Sequence, residues 1–311
     1  MSRPLLQEVD EYLALRRAFG TKLEGREVPL RKFVAFLDGV GEAFVTTTRA
    51  LEWALQPAAA SMCQQAARLR HVRLFAAYLH AQDPRHEVPP PDLLDQRSRR
   101  TKPYLYSTEE IDTLLRAARA LPSPRGLRGD TYATMLGLVA VTGLRRSEVV
   151  DLDRTDVDLE RGVLTVRNTK FGKTRLVPLH PSTTRALQAY ACHRDRVLPV
   201  TLSPGFFLNE SGIRITGSAL HYTWVKLTIR VGLRGPHDSR GPRLHDLRHR
   251  FAVESLLGWY RTGQDAARRL PVLSAYLGHV RVADTYWYLE AVPELLQLAA
   301  KRLEDSVGRW A

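Results

Sequence analysis

The chain has 311 residues, 44% of them hydrophobic, enough for two packed domains, and has neither a run of about 18 apolar residues nor the residue order of a secretory signal, so no membrane association is expected. Its formal net charge is +13 and its pI is near 10.1, unevenly spread: 13 basic against 12 acidic residues up to position 98, and 33 against 21 from position 99 onward, which points to a polyanion as partner of the second part. The two cysteines, Cys63 and Cys192, are far apart, which excludes a disulfide framework or a cysteine zinc site and makes a reducing cytoplasm the expected compartment.

Residues 1–83 read as a bundle of helices. Leu6, Val9 and Leu13 recur at helical spacing until Phe19 and Gly20. Leu30, Phe33, Val34 and Leu37 mark a second helix, started near Pro29 and closed by Gly39 and Gly41. A short third helix covers 48–55, and a longer fourth runs over about 59–82 with Leu69, Val72, Phe75, Ala76 and Leu79 on one stripe. Arg68, Arg70 and Arg73 lie on or beside its other face, either as a solvated surface or as phosphate contacts. Residues 84–103 read as a linker, because Pro84, Pro89, Pro90, Pro91 and Pro103 favour extended chain. Its end is basic, with Arg97, Arg99, Arg100 and Lys102, which suits a crossing of a nucleic-acid backbone as well as a plain tether.

The second domain, 104–311, opens with a helix capped by Ser107 or Thr108, with Glu109 and Glu110 in its first turn. A helix over about 129–142 ends at Gly143, and 162–167 and 174–179 read as two strands joined by a turn containing Phe171-Gly172-Lys173. Helices dominate from Ser182 onward, interrupted by loop-like stretches at 199–204 and 234–242, and no internal repeat is present.

Three basic clusters stand out in this domain: Thr142-Gly143-Leu144-Arg145-Arg146-Ser147-Glu148, His245-Asp246-Leu247-Arg248-His249, and Gly278-His279, the last followed nine residues later by Tyr288. Together they supply a nucleophile, two guanidiniums and two imidazoles, the equipment for attacking a phosphodiester without a metal. A phenol with a reference pKa of about 10 needs help to become an anion. Arginines fork onto non-bridging phosphate oxygens and never deprotonate, and a lysine can protonate the leaving oxygen. His245 and His249 share a helix face and could hold zinc, but the acidic residue of a His-Glu-x-x-His motif is missing and an arginine lies between them.

Residues 104 to the end resemble the tyrosine recombinases of the phage-integrase family, and the phrase Thr285-Tyr286-Trp287-Tyr288-Leu289-Glu290 looks most like transposon-associated members of the XerC/XerD kind. The resemblance implies a mainly α protein with a small β-sheet, an α+β catalytic domain and a helical core-binding domain closing on DNA as a C-shaped clamp. It implies Arg145 and Arg248 as catalytic arginines, His245 and His279 as their companions, Tyr288 as nucleophile, Lys170 as general acid and Glu148 as a supporting acid. Lys173 competes with Lys170 because both lie near one turn, with register favouring Lys170, and Tyr286 is the rival nucleophile. The expected partner is double-stranded DNA carrying specific recombination sites, bound by a homo-oligomer, a tetramer in the family, with companion recombinases of the same element as further candidates. No cofactor, ATP or metal is expected.

Two departures accompany the resemblance. The interval from Arg248 to His279 is long, with Gly258-Trp259-Tyr260-Arg261-Thr262-Gly263 read as an insertion between helices, and the loop 234–241 before His245 is rich in glycine and charge. Leu295, Leu296, Leu298, Ala299, Leu303, Val307 and Trp310 give a terminal helix an apolar face, for its own domain or for a neighbouring protomer. A type IB topoisomerase-like relaxase and a non-catalytic DNA-binding helper of a transposition complex are the alternative readings.

Overall fold

The computed structural model describes residues 4–20, 25–56, 58–94, 103–167, 174–201, 203–279, 281, 284–286, 294–298 and 300. The chain forms two compact units, Met1–Thr101 and Lys102–Ala311. The described residues are mainly helical with one small sheet, and none of their helices is long and apolar enough to cross a membrane.

The first unit packs four helices, α1 (Leu5–Ala18), α2 (Glu27–Gly39), α3 (Thr47–Leu55) and α4 (Met62–His80), around one apolar cluster. Its centre holds Val9, Leu13, Phe33, Leu37, Trp53, Val72 and Phe75, all essentially solvent-free. Starts are chemically marked: Thr46 accepts from the Arg49 amide at the head of α3, and Ser61 and Gln64 form a capping box at the head of α4, a device that contributes about 1 kcal/mol. Residues 84–94, expected as the first half of a linker, instead lie on this unit. Glu87 N donates to Val45 O at 2.8 Å, Val45 N donates to His86 Nδ1 at 3.1 Å, and Pro89 is buried. The prolines stop the helix as expected, but the extended chain they favour finds backbone partners in the loop before α3.

The second unit begins with α5 (Thr108–Arg119), headed by a Ser107–Glu110 capping box. Next comes α6 (Leu127–Thr142), most of whose residues are buried, although Val141 is 50% exposed. The short α7 (Arg146–Val150) follows, then an antiparallel sheet in the order β1-β2-β3: β1 (Val157–Asp158), β2 (Val163–Val166) and β3 (Arg175–Pro178). Two residues are too few for β1 to show a period, so the sequence reading missed it. Helices α8 (Pro181–Val197) and α9 (Gly217–Arg230) complete the main core with α5 and α6.

A second cluster lies between α10 (Leu244–Arg261) and α11 (Ala266–Leu277) and is joined by Leu295, which is fully buried, while Leu298 is partly buried against it. The start of the expected terminal helix therefore packs on its own chain, and Arg261 Nη2 pairs with Glu294 at 2.6 Å. Ala299, Leu303, Val307 and Trp310 lie outside the described residues. The stretch 258–263 is not a separate insertion. Gly258 to Arg261 form the last turn of α10, with Trp259 and Tyr260 half-buried against the α10/α11 cluster, and Gly263 turns the chain into α11. The extra length is taken up by helix, because these aromatics have an apolar surface to cover. The loop 234–242 is tied down: Gly235 N donates to Asp238 Oδ2 at 2.7 Å, and Trp224 Nε1 donates to Pro242 O at 3.1 Å.

Candidate active site

Two helix ends create the site. Both α6 and α11 stop at a glycine in the left-handed region, Gly143 (φ 63°) and Gly278 (φ 69°), and each glycine is followed closely by a candidate residue, Arg145 and His279. Neither glycine has room for a side chain: a Cβ on Gly143 would fall 2.8 Å from Phe251 Cδ1, and one on Gly278 would fall 2.8 Å from Arg175 Nη1.

Arg248 locks the two ends together. It projects from the first turns of α10, is 1% exposed, and donates from Nη1 to Gly143 O and from Nη2 to Leu277 O, both at 2.7 Å. The last carbonyls of a helix carry its negative dipole end and lack intrahelical partners, so a buried guanidinium is well placed there.

Arg145 is held on the same platform. Its Nη2 donates to Gly278 O at 2.9 Å, and its Nη1 donates to Glu148 Oε1 at 2.7 Å, while Glu148 Oε2 accepts from the Arg145 backbone N–H at 2.9 Å. The Glu148 side chain is 4% exposed and also receives both Nη groups of Arg175, at 2.9 and 2.8 Å. Burial opposes its charge, but the bonds from Arg175 and from the Arg145 backbone and the nearby guanidiniums prevail, taking its carboxyl down to about 2.

His279 Nδ1 lies 2.7 Å from the hydroxyl of Thr285, which is itself fully buried. Burial, then Arg248 and Arg145, push the His279 ring down to about 4. His245 is also lowered to about 4, by lost hydration and then by Arg248 and Arg243. His245 as a whole residue is nonetheless exposed. His245 meets His249 edge to face, ring centroids 4.7 Å apart, and His249 is likewise pushed down to about 4 by burial and by His245. Without DNA these imidazoles are neutral near pH 7, and a phosphate brought among them would favour their charged forms. Asp246 takes up the Arg243 guanidinium, with Arg243 Nη2 at 2.7 Å from its Oδ1.

The structure thus bonds Arg145 to Glu148 directly, ties Arg145 and Arg248 to the end of α11 just before His279 through the Gly278 and Leu277 carbonyls, and places His245 in the first turn of α10. Lys170, Lys173 and Tyr288 lie outside the described residues, as do Arg99, Arg100 and Lys102. The rival Tyr286 is 52% exposed. In the first unit, Arg68 lies over the Trp53 ring, 3.7 Å from its centroid, and donates to Trp53 O at 2.7 Å, whereas Arg70 is exposed and Arg73 half-buried. Among the described residues no group of three or more His, Cys, Asp or Glu converges as a metal site. Sequence reasoning passed over Arg175 and Thr285. Arg175 was read only as part of a strand, although an arginine at an inward strand position is itself a signal. Nothing in its sequence neighbourhood marks the Thr285 hydroxyl.

Arginines and neutral imidazoles brought together at two helix ends are groups that can donate to an anion. Comparison with known proteins gives the class. The chain belongs to the phage integrase family, whose model matches residues 106–294. Members of this family are tyrosine recombinases, enzymes that transfer DNA strands, and the chain is a site-specific recombinase of this kind. It is 46% identical over 308 residues (98% of this chain, 97% of the relative) to the Sinorhizobium fredii protein y4rB, whose name marks it as an integrase/recombinase. It is 31% identical over 245 residues (78% of this chain, 73% of the relative) to tyrosine recombinase XerD of Caulobacter vibrioides. In fold it is similar to the Tn1549 transposon integrase, solved in complex with circular intermediate DNA, with a TM-score of 0.66 at 17% identity over 95% of this chain and 99% of the other.

Proposed function

We propose that this recombinase cuts and rejoins DNA through a 3′-phosphotyrosine made on Tyr288. The phenolate oxygen of Tyr288 attacks the scissile phosphorus, the bond from phosphorus to the 5′ oxygen breaks, and Lys170 gives its proton to that leaving oxygen. A 5′ hydroxyl from a second strand then reverses the step and releases the tyrosine, so the bond energy is kept throughout and no ATP is needed. Arg145 and Arg248 hold the non-bridging oxygens, with His245 and His279 as further donors. A guanidinium has five donors, so binding two carbonyls does not exhaust Arg248. Glu148 aims Arg145. The observation that carries this reading is the junction itself: the ends of α6 and α11 are bonded to Arg248, and Arg145 is bonded to the second of them.

The same reading gives the first unit the role of gripping the duplex, with the exposed Arg70 and the half-buried Arg73, and the basic stretch Arg99, Arg100 and Lys102, with Lys173, the role of backbone contacts. Four protomers on two recombination sites in the cytoplasm, passing through a Holliday junction, complete the proposal. Companion recombinases of the same element are candidates for mixed assemblies.

The test is a nicked suicide duplex from the flanks of the element encoding this chain, incubated without metal with wild type, Tyr288→Phe and Tyr286→Phe. A denaturation-resistant adduct lost only in Tyr288→Phe is expected. Loss only in Tyr286→Phe moves the nucleophile by two residues, and tight binding with no wild-type adduct refutes catalysis by this chain alone.

A further inference from the structure

One guanidinium in the second unit bonds to three elements at once, β3, α7 and α11, and adds to the Tyr276 hydroxyl bond to Pro178 O and the Arg145 bond to Gly278 O that also link them. Arg175 opens β3, directly after the turn that carries Lys170 and Lys173 in the sequence. Its Nη1 and Nη2 donate to the two oxygens of Glu148 on α7, and its Nε donates at 2.8 Å to Tyr276 O in the last turn of α11. Its side chain is 12% exposed. Glu148 passes the connection to Arg145, and Arg145 returns it to Gly278 O, two residues beyond Tyr276. The bonds therefore close into a ring: Arg175 to Glu148, Glu148 to Arg145, Arg145 to Gly278, and the end of α11 back to Arg175. Gly278 makes room for it, since a Cβ there would meet three atoms of the Arg175 guanidinium between 2.8 and 3.2 Å.

This ring has a particular geometry. The planar fork of arginine matches both carboxylate oxygens while its Nε points to a third acceptor, which the point charge of a lysine cannot do. The elements it spans are the strand following the Lys170 turn, the helix start that presents Arg145, and the helix end that presents His279. Bringing a third guanidinium beside Arg145 and Arg248 is unfavourable in itself, and the single Glu148 carboxylate offsets it for two of the three. A cation retained in such a place points to a use in geometry.

We propose that Arg175 is a positioning residue for strand cleavage: it sets the spacing between the strand that follows the Lys170 turn and the Arg145–His279 side of the site. The proposal rests on the reading of Tyr288, Arg145 and Lys170 given above. Arg175 touches no reacting atom. Its effect falls on the chemical step, because misplacing the leaving-oxygen proton donor relative to the phosphate grip slows reaction without weakening the many contacts that hold DNA.

The experiment measures single-turnover cleavage of the nicked duplex at saturating protein, and DNA affinity separately, for wild type, Arg175→Lys, Arg175→Ala and Tyr288→Phe. The expected result is DNA affinity within about threefold of wild type and cleavage slowed at least about tenfold in Arg175→Lys and more in Arg175→Ala. Added methylguanidinium should partly restore Arg175→Ala, and the acid limb of its rate profile should move to higher pH, because Glu148 loses the fork that holds it ionised. Wild-type cleavage by Arg175→Lys, or a rate loss matched by an equal loss of affinity, overturns the proposal. So does failure of Arg175→Lys to fold, or a rate that follows the folded fraction with no change in pH profile, either of which assigns Arg175 to folding alone. Tyr288→Phe keeps the two readings apart: if it still forms the adduct, the assignment of the nucleophile fails whatever Arg175 does.

Discussion

Replacing Glu148 by glutamine isolates the electrostatics of the site without changing its shape. The carboxylate accepts from Arg145 and from both Nη groups of Arg175, and its side chain is 4% exposed. Its folded-state pKa lies near 2, against 4.5 for the free group. At 1.36 kcal/mol per pH unit that difference contributes about 3 kcal/mol to stability at pH 7. Breaking a buried pair by removing one partner costs about 3–5 kcal/mol, an independent route to the same size. Because the folded pKa is the lower one, the contribution is complete above pH 4.5 and drains away as pH falls toward 2. Urea unfolding of the DNA-free protein should therefore show wild type above Glu148→Gln by about 3 kcal/mol at pH 7, shrinking to roughly 1 kcal/mol at pH 3. A gap under about 1 kcal/mol at pH 7, or one of equal size at both pH values, would refute the assignment of Glu148 as a charged anchor.

Two further substitutions separate structural from DNA-facing roles. Arg68→Ala removes a guanidinium from over the Trp53 ring together with its bond to Trp53 O, and should lower unfolding stability by about 1–2 kcal/mol; lowered DNA affinity with unchanged urea midpoint would instead make Arg68 a phosphate contact. Thr285→Val keeps the shape beside His279 but removes the hydroxyl 2.7 Å from its Nδ1, and should slow single-turnover cleavage by about threefold to tenfold with DNA affinity unchanged; an unaltered rate would show that His279 needs no orienting partner.

The sequence made some of this plain and hid the rest for definable reasons. Helix ends were readable because their chemistry is local: Ser107 with Glu110 heads α5, and Gly143 ends α6. The basic clusters were readable through order and spacing, and the structure bonds Arg145 to Glu148 and ties Arg145 and Arg248 to the end of α11, next to His279. Arg175 was not readable as a partner because its acceptors lie 27 and 101 residues away, a distance no periodicity reports. The stretch 258–263 misled because a Gly-Trp-Tyr run looks like a loop until an apolar cluster is there to receive the aromatics. Arg68 misled in the opposite sense, since a helical wheel shows a charged face and cannot show Trp53 beneath it. Tyr288 and Lys170 rest on spacing, and the adduct assay decides between Tyr288 and Tyr286.

Two bonds made by Arg248 end on main-chain oxygens, those of Gly143 and Leu277. Main-chain acceptors persist whatever side chain a position carries, so substitution at Leu277 leaves the acceptor in place. This junction can therefore keep its shape while much of the surrounding sequence drifts, with its vulnerability at Arg248 and the two glycines and, for the ring beside it, at Arg145, Glu148 and Arg175. A library that randomises exposed residues of α9 or of the 234–241 loop to seek new DNA preferences can leave this junction alone, and its inactive variants should trace to lost DNA contacts far more often than to a dismantled catalytic centre.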